Sequence, residues 1–88
     1  MTTRLQFDEL MISQEERYSL GIERTTGKHY LSVEMTQDYV EFEEFYEISE
    51  EEFASMLDDP EAGQAFARRC RAGGEDSRLF RRPETGGE

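Results

Sequence analysis

His29 and Cys70 are the side chains in this 88-residue sequence best suited to act as base and nucleophile, and each type occurs once. Nucleophilic catalysis needs the attacking atom within reach of a base and a third group that orients the base. No such grouping surrounds His29, which opens an alternating apolar stretch and reads as a rim histidine. Cys70 falls four residues after Phe66 on the apolar side of a helical pattern and reads as a small core residue, with Arg68, Arg69 and Arg71 mostly on other faces. A Ca²⁺ or Mg²⁺ site needs oxygens converging on a loop, whereas Glu41, Glu43 and Glu47 project in a line from a strand and no Asp-x-Asp-x-Asp-Gly run occurs. Paired carboxylates for glycoside cleavage need a cleft that one small sheet does not supply. Thr26-Gly27-Lys28 lacks the glycine-rich approach and following helix of a phosphate loop. Arg78, Arg81 and Arg82 suit pairing with the chain's own acids better than capture of an anion. The sequence therefore assigns no catalytic residue, cofactor-binding residue or metal ligand, and the expectation is a protein that is not an enzyme.

What remains is Asp38 through Glu52, which holds eight carboxylates in fifteen residues and no cation. The elements that position it follow from periodicity. Tyr18, Leu20 and Ile22 alternate with Ser19, Gly21 and Glu23, as in a half-buried strand. A turn at Thr25-Thr26-Gly27-Lys28 leads into a second alternation in which Leu31, Val33 and Met35 share a side. Closing that turn predicts Ile22 opposite Leu31, Leu20 opposite Val33 and Tyr18 opposite Met35. A second turn, Thr36 to Tyr39, predicts Met35 opposite Val40, Val33 opposite Phe42 and Leu31 opposite Glu44. Glu44 is the misfit, lying either past the core or at a bulge that exchanges it with Phe45. The third strand then gives Val40, Phe42, Tyr46 and Ile48 to the core.

The opposite face carries Tyr30, Glu34, Tyr39, Glu41, Glu43, Phe45 and Glu47, with Gly21 and Ser32 leaving a shallow trough between them. In this register Glu34 faces Glu41, a like-charge pair that stability does not explain. Such a face either meets water or docks a partner. As a docking surface it would use Tyr30, Glu34, Asp38, Tyr39, Glu41, Glu43, Phe45 and Glu47, acids steering a cationic protein and aromatics anchoring it.

Ser49-Glu50-Glu51-Glu52 is a capping box, so a helix starts there with Phe53, Met56 and Leu57 as its apolar stripe. Asp59-Pro60 starts a second helix lined by Ala62, Phe66 and Cys70, with arginines in its last turn and Gly73-Gly74 after it. Leu79 and Phe80 either add a strand or dock on the core. Residues 1–16 read equally as an edge strand or a helical turn. The expected fold is α+β: a three- to four-stranded antiparallel meander with two C-terminal helices packed on one face, one domain over residues 1–82, and a disordered tail over 83–88.

Composition narrows the function classes. The net charge is −11, concentrated in residues 1–60, where sixteen acids face four bases. A field of that sign repels nucleic acid and anionic lipid and attracts basic proteins. A lone cysteine excludes an internal disulfide, and neither a signal-like apolar segment nor an eighteen-residue apolar run occurs, so a cytoplasmic protein without a membrane segment is expected. Its oligomeric state is not legible.

Tyr18-Ser19-Leu20-Gly21-Ile22-Glu23, Gly27-Lys28 with Tyr30-Leu31-Ser32, and Tyr39 through Ser49 resemble the pattern of small, acidic α+β bacterial proteins. In size, acidity and layout the chain is similar to immunity proteins that neutralise polymorphic or contact-dependent toxins. The resemblance spans about residues 17–70 and implies binding to a basic toxin domain and blockade of its active site, without turnover. The competing expectation is a regulatory or structural interaction module, joined as a homodimer through the open sheet.

Overall fold

The computed structural model describes residues 5–80. Four strands, β1 (Phe7–Ser13), β2 (Tyr18–Glu23), β3 (Lys28–Gln37) and β4 (Val40–Ile48), form an antiparallel meander in the order β1-β2-β3-β4. Two helices follow, α1 (Glu50–Asp58) and α2 (Pro60–Arg71), then a short 3-10 turn at Asp76–Arg78. The fold is α+β, as the periodicity implies. The expectations for residues 1–4 and 81–88, including Arg81, Arg82 and the tail, lie outside the described residues.

Residues 7–13 are a strand, not a helical turn, and Leu10 bulges out of its pairing with β2. Both other hairpins pair two residues away from the expected register. In the first, Tyr18 faces Val33, Leu20 faces Leu31 and Ile22 faces His29, because the loop is Arg24 to Gly27 and closes between Glu23 and Lys28. In the second, a two-residue loop of Asp38 and Tyr39 sets Gln37 opposite Val40, Met35 opposite Phe42 and Leu31 opposite Tyr46. A slip of two leaves every side chain on its expected face, since strand faces repeat with period two. Glu44 stays in the ladder opposite Val33, with no bulge in β4. Its carboxylate accepts the Tyr46 hydroxyl at 3.0 Å, which is how a charge at the border of the core is satisfied.

The helices cover one face. Tyr18, Leu20, Leu31, Val33, Tyr46 and Ile48 pack there against Phe53, Met56, Phe66, Ala67 and Cys70. The predicted capping box is present: Ser49 Oγ accepts from the Glu52 N–H at 3.0 Å, and the Glu52 carboxylate accepts from the Ser49 N–H at 2.7 Å. Asp59 caps α2 with Pro60 at its start. Four expected core residues fall outside, among them Ile22, half-buried opposite His29 near the end of β2. Leu57 is exposed because α1 meets the sheet through Phe53 and Met56, and Val40 is exposed and Phe42 only half-buried because the longer β3–β4 ladder carries them beyond the helices.

The opposite face is not the open trough the alternation suggests. Phe7 of β1 stacks on Phe45 of β4 with ring centroids 3.9 Å apart. Two strands lie between them, and three strand spacings of about 4.8 Å would hold them about 14 Å apart in a flat sheet. The sheet therefore curls until its edges meet over a second, aromatic core of Phe7, Tyr30, Phe45 and Phe80. Leu79 pairs with Tyr46, and the Phe80 N–H donates to the Phe45 carbonyl at 3.0 Å. Gly21 makes room for the curl: a methyl there would collide with the Asp8 carbonyl and the Tyr30 hydroxyl. Gly21→Ala is accordingly expected to cost about 1–3 kcal/mol, read as a lower urea midpoint.

Candidate functional site

The acidic stretch is built on the β3–β4 ribbon. The β2 ladder ends at the Tyr18–Val33 pair, whereas β3 continues to Gln37 and returns through β4. Residues 34–43 thus overhang the sheet as a two-stranded arm. A two-residue hairpin loop that matches strand twist needs both residues in the left-handed region, normally filled by Asn-Gly or Asp-Gly. Here Asp38 (φ 54°) and Tyr39 (φ 67°) take it, and the Tyr39 side chain is fully exposed at the tip.

The eight predicted docking residues divide. Asp38, Tyr39 and Glu41 lie exposed on the arm, and among the described residues neither Asp38 nor Glu41 has a cation partner. Glu34 pairs with Arg17 at 3.0 Å, and Glu47 with Lys28 at 3.3 Å. Glu43 accepts from the Ser32 hydroxyl at 3.0 Å, and Ser32 Oγ lies 2.5 Å from Ser19 Oγ on the buried floor. Tyr30 is only 1% exposed and Phe45 is held in the aromatic stack, so these two serve packing rather than an open face. The residue opposite Glu34 is Glu43, not Glu41, because of the two-residue slip. The like-charge juxtaposition nevertheless persists.

Carboxylates rim the concave face. Tyr30 ionises only well above its ordinary pKa, first because it is buried and then because Glu9, Glu43 and Asp8 surround it with negative charge. A groove of about 500 Å³ runs along this face, lined in part by Glu9, Ile12, Arg17, Ser19, Glu34 and Glu43.

The residues that sequence reasoning could have used for chemistry are packed. His29 is half-buried, its ring 4.6 Å from Phe53. Cys70 is buried, and burial, with the nearby Glu75 charge, pushes its thiol up to about 12. Among the described residues no three His, Cys, Asp or Glu side chains converge to hold a metal ion, and no helix is long and apolar enough to cross a membrane.

Periodicity missed the groups that tie the elements to one another. Glu23 is buried and gathers the N–H groups of Gln6, Thr25 and Thr26 and the Thr26 hydroxyl, joining the β2–β3 loop to the start of β1. Arg71 of α2 donates to the carbonyls of Glu16 (2.9 Å), Arg17 (2.8 Å) and Glu34 (3.4 Å), binding the helix to the base of the arm. Arg78 grips both Glu52 oxygens at 2.9 and 3.0 Å, Glu75 at 2.8 Å and the Glu47 carbonyl at 3.1 Å. Arg78 thus makes the pairing with the chain's own acids that the sequence leads one to expect.

Compared with family models, curated proteins and solved structures, the chain finds no match in any of the three.

Proposed function

We propose that this protein is a toxin-neutralising immunity protein that binds a basic toxin domain through the β3–β4 arm and blocks its active site by occupancy. The observation that carries the reading is Tyr39: a fully exposed aromatic in a left-handed loop position, at the tip of a ribbon whose acids are only partly neutralised. Folding alone would favour glycine there. Acids on the arm steer a cationic partner and raise its association rate, and an exposed aromatic supplies the desolvated contact that charge alone lacks.

The test is co-purification with the products of neighbouring genes, followed by titration of the captured partner. Changing Glu41, Glu43 and Glu47 together to Lys is expected to weaken binding by about a hundredfold or more, mainly through a slower association rate, and to flatten its salt dependence. Unchanged affinity overturns the surface.

A second reading, an interaction module that self-associates, draws on Leu10 and Ile12, both more than half exposed on the edge strand β1. Sedimentation separates the two: a concentration-dependent dimer lost on changing Ile12 to Lys supports self-association, and a monomer at all concentrations excludes it.

A further inference from the structure

The sheet has two edges, and they differ. β1 is interrupted by the bulge at Leu10, a device that discourages strand addition. β4 pairs with β3 without interruption from Val40 to Ile48. Its outer edge has already accepted one extended segment, since Leu79 pairs with Tyr46 and the Phe80 N–H donates to the Phe45 carbonyl. That hydrogen bond fixes which groups point outward. If the Phe45 carbonyl faces away from β3, the period of two directs the backbone N–H and C=O of Glu43 and Glu41 outward as well. Among the described residues, nothing pairs with β4 between Phe45 and the tip.

We propose that the outer edge of β4 from Glu44 to Val40 binds an extended cationic segment of a partner protein by antiparallel strand addition. This rests on the toxin-binding reading and names its mode and the partner's chemistry. The segment would continue in the direction set by Leu79 and Phe80. Residues opposite Glu43 and Glu41 exchange backbone hydrogen bonds with them and set their side chains beside those carboxylates, so the register asks for Lys or Arg at alternate positions. Intervening side chains fall beside the half-buried Phe42 and the exposed Val40 and are apolar. At the Phe45 end, where the segment enters, lies a cavity of about 180 Å³ lined by Phe7, Phe45, Leu79 and Phe80 and by the acids Glu43 and Glu44. A second copy does not fit. Two β4 edges paired antiparallel bring Glu41 and Glu43 against the same carboxylates, each chain carrying a net charge of −11.

The probe is a labelled, end-capped heptapeptide, Leu-Lys-Val-Lys-Val-Lys-Thr, titrated against the full chain by fluorescence anisotropy at low salt. A control peptide of the same sequence is N-methylated at the lysine amides that face Glu43 and Glu41, keeping charge and side chains while removing two donors. Saturable binding with shifted Glu41 and Glu43 amide resonances, weakened about tenfold or more by methylation and by Glu41→Lys with Glu43→Lys, is the expected result. Equal binding of the methylated peptide overturns the proposal, since charge alone would then suffice. So does a lack of binding, or a concentration-dependent dimer that protects those two amides. The outcomes separate the two readings: a partner whose affinity depends on Tyr39 but whose binding leaves the Glu41 and Glu43 amides exchanging freely retains the toxin-binding reading and removes strand addition.

Discussion

Replacing Glu23 with Gln is expected to lower stability by about 2–4 kcal/mol at neutral pH and by almost nothing at pH 2. The carboxylate is buried and accepts from the Gln6 N–H at 2.6 Å, the Thr26 N–H at 2.7 Å, the Thr25 N–H at 3.0 Å and the Thr26 hydroxyl. An amide keeps one accepting oxygen and turns an NH₂ toward the remaining donors. Hydrogen bonds to a charged group are worth about 1.5–3 kcal/mol each, and a buried donor left without a partner costs about 1–3 kcal/mol, with incomplete additivity between them. Burial alone would raise the Glu23 pKa, but the Thr26 hydroxyl and the N–H groups of Gln6, Thr26 and Thr25 outweigh it and hold the value at about 2, against an ordinary 4.5. A carboxyl depressed in the folded state contributes stability that is complete above its unfolded pKa and lost as pH falls through its folded one. The difference between wild type and variant should therefore be constant above about pH 5, shrink between about pH 4.5 and 2, and vanish below. Urea midpoints measured across that range check it. A difference that does not change with pH would show that the loss is one of shape and not of charge. A chain of this length has about 5–10 kcal/mol in total, so the variant is a marginal fold at pH 7 and the loop should detach from the start of β1.

Glu23 also shows why the strands were legible and their pairing was not. Alternation from Tyr18 to Ile22 and from Leu31 to Met35 fixes which side chains share a face, because that depends only on neighbours two apart. Register depends on where each loop closes. Here that is decided by a carboxylate reaching to the Thr25 and Thr26 amides and by Asp38 and Tyr39 entering the left-handed region, neither of which periodicity records. The capping box at Ser49 and Glu52 and the Asp59-Pro60 start are local and were read directly. Tyr30 was not, because it is covered by Phe45 and by Phe7, a residue 23 positions away on the edge strand β1, and a pattern of exposure along one strand cannot see a sheet curl over itself. Of the proposed docking surface, the tip and its unpaired acids were legible, and the aromatic floor was not.

The tip residue gives the sharpest separation of fold from function. Tyr39→Gly is expected to stabilise the protein and to weaken partner binding. A side chain with a Cβ in the left-handed region costs about 1–2 kcal/mol. Glycine removes that cost but adds about 0.5–1 kcal/mol of freedom to the unfolded chain, leaving a net gain of about 0.5–1 kcal/mol. For a domain of this size that raises the melting temperature by about 3–6 °C. Because Tyr39 is fully exposed, its loss leaves no cavity and strips no partner inside the chain. If it anchors the toxin domain as an interfacial aromatic does, truncation costs about 2 kcal/mol or more of binding, a loss of about thirtyfold or greater, seen mostly as faster dissociation. Tyr39→Phe retains the ring and the strain, so it should leave stability unchanged and keep most of the affinity. Glu41→Gln should act differently, slowing association at low salt with little effect on the melting temperature. A Tyr39→Gly protein that melts higher and binds with undiminished affinity would mean that the tip aromatic is no anchor. The left-handed strain at Asp38 and Tyr39 would then serve only to turn the chain.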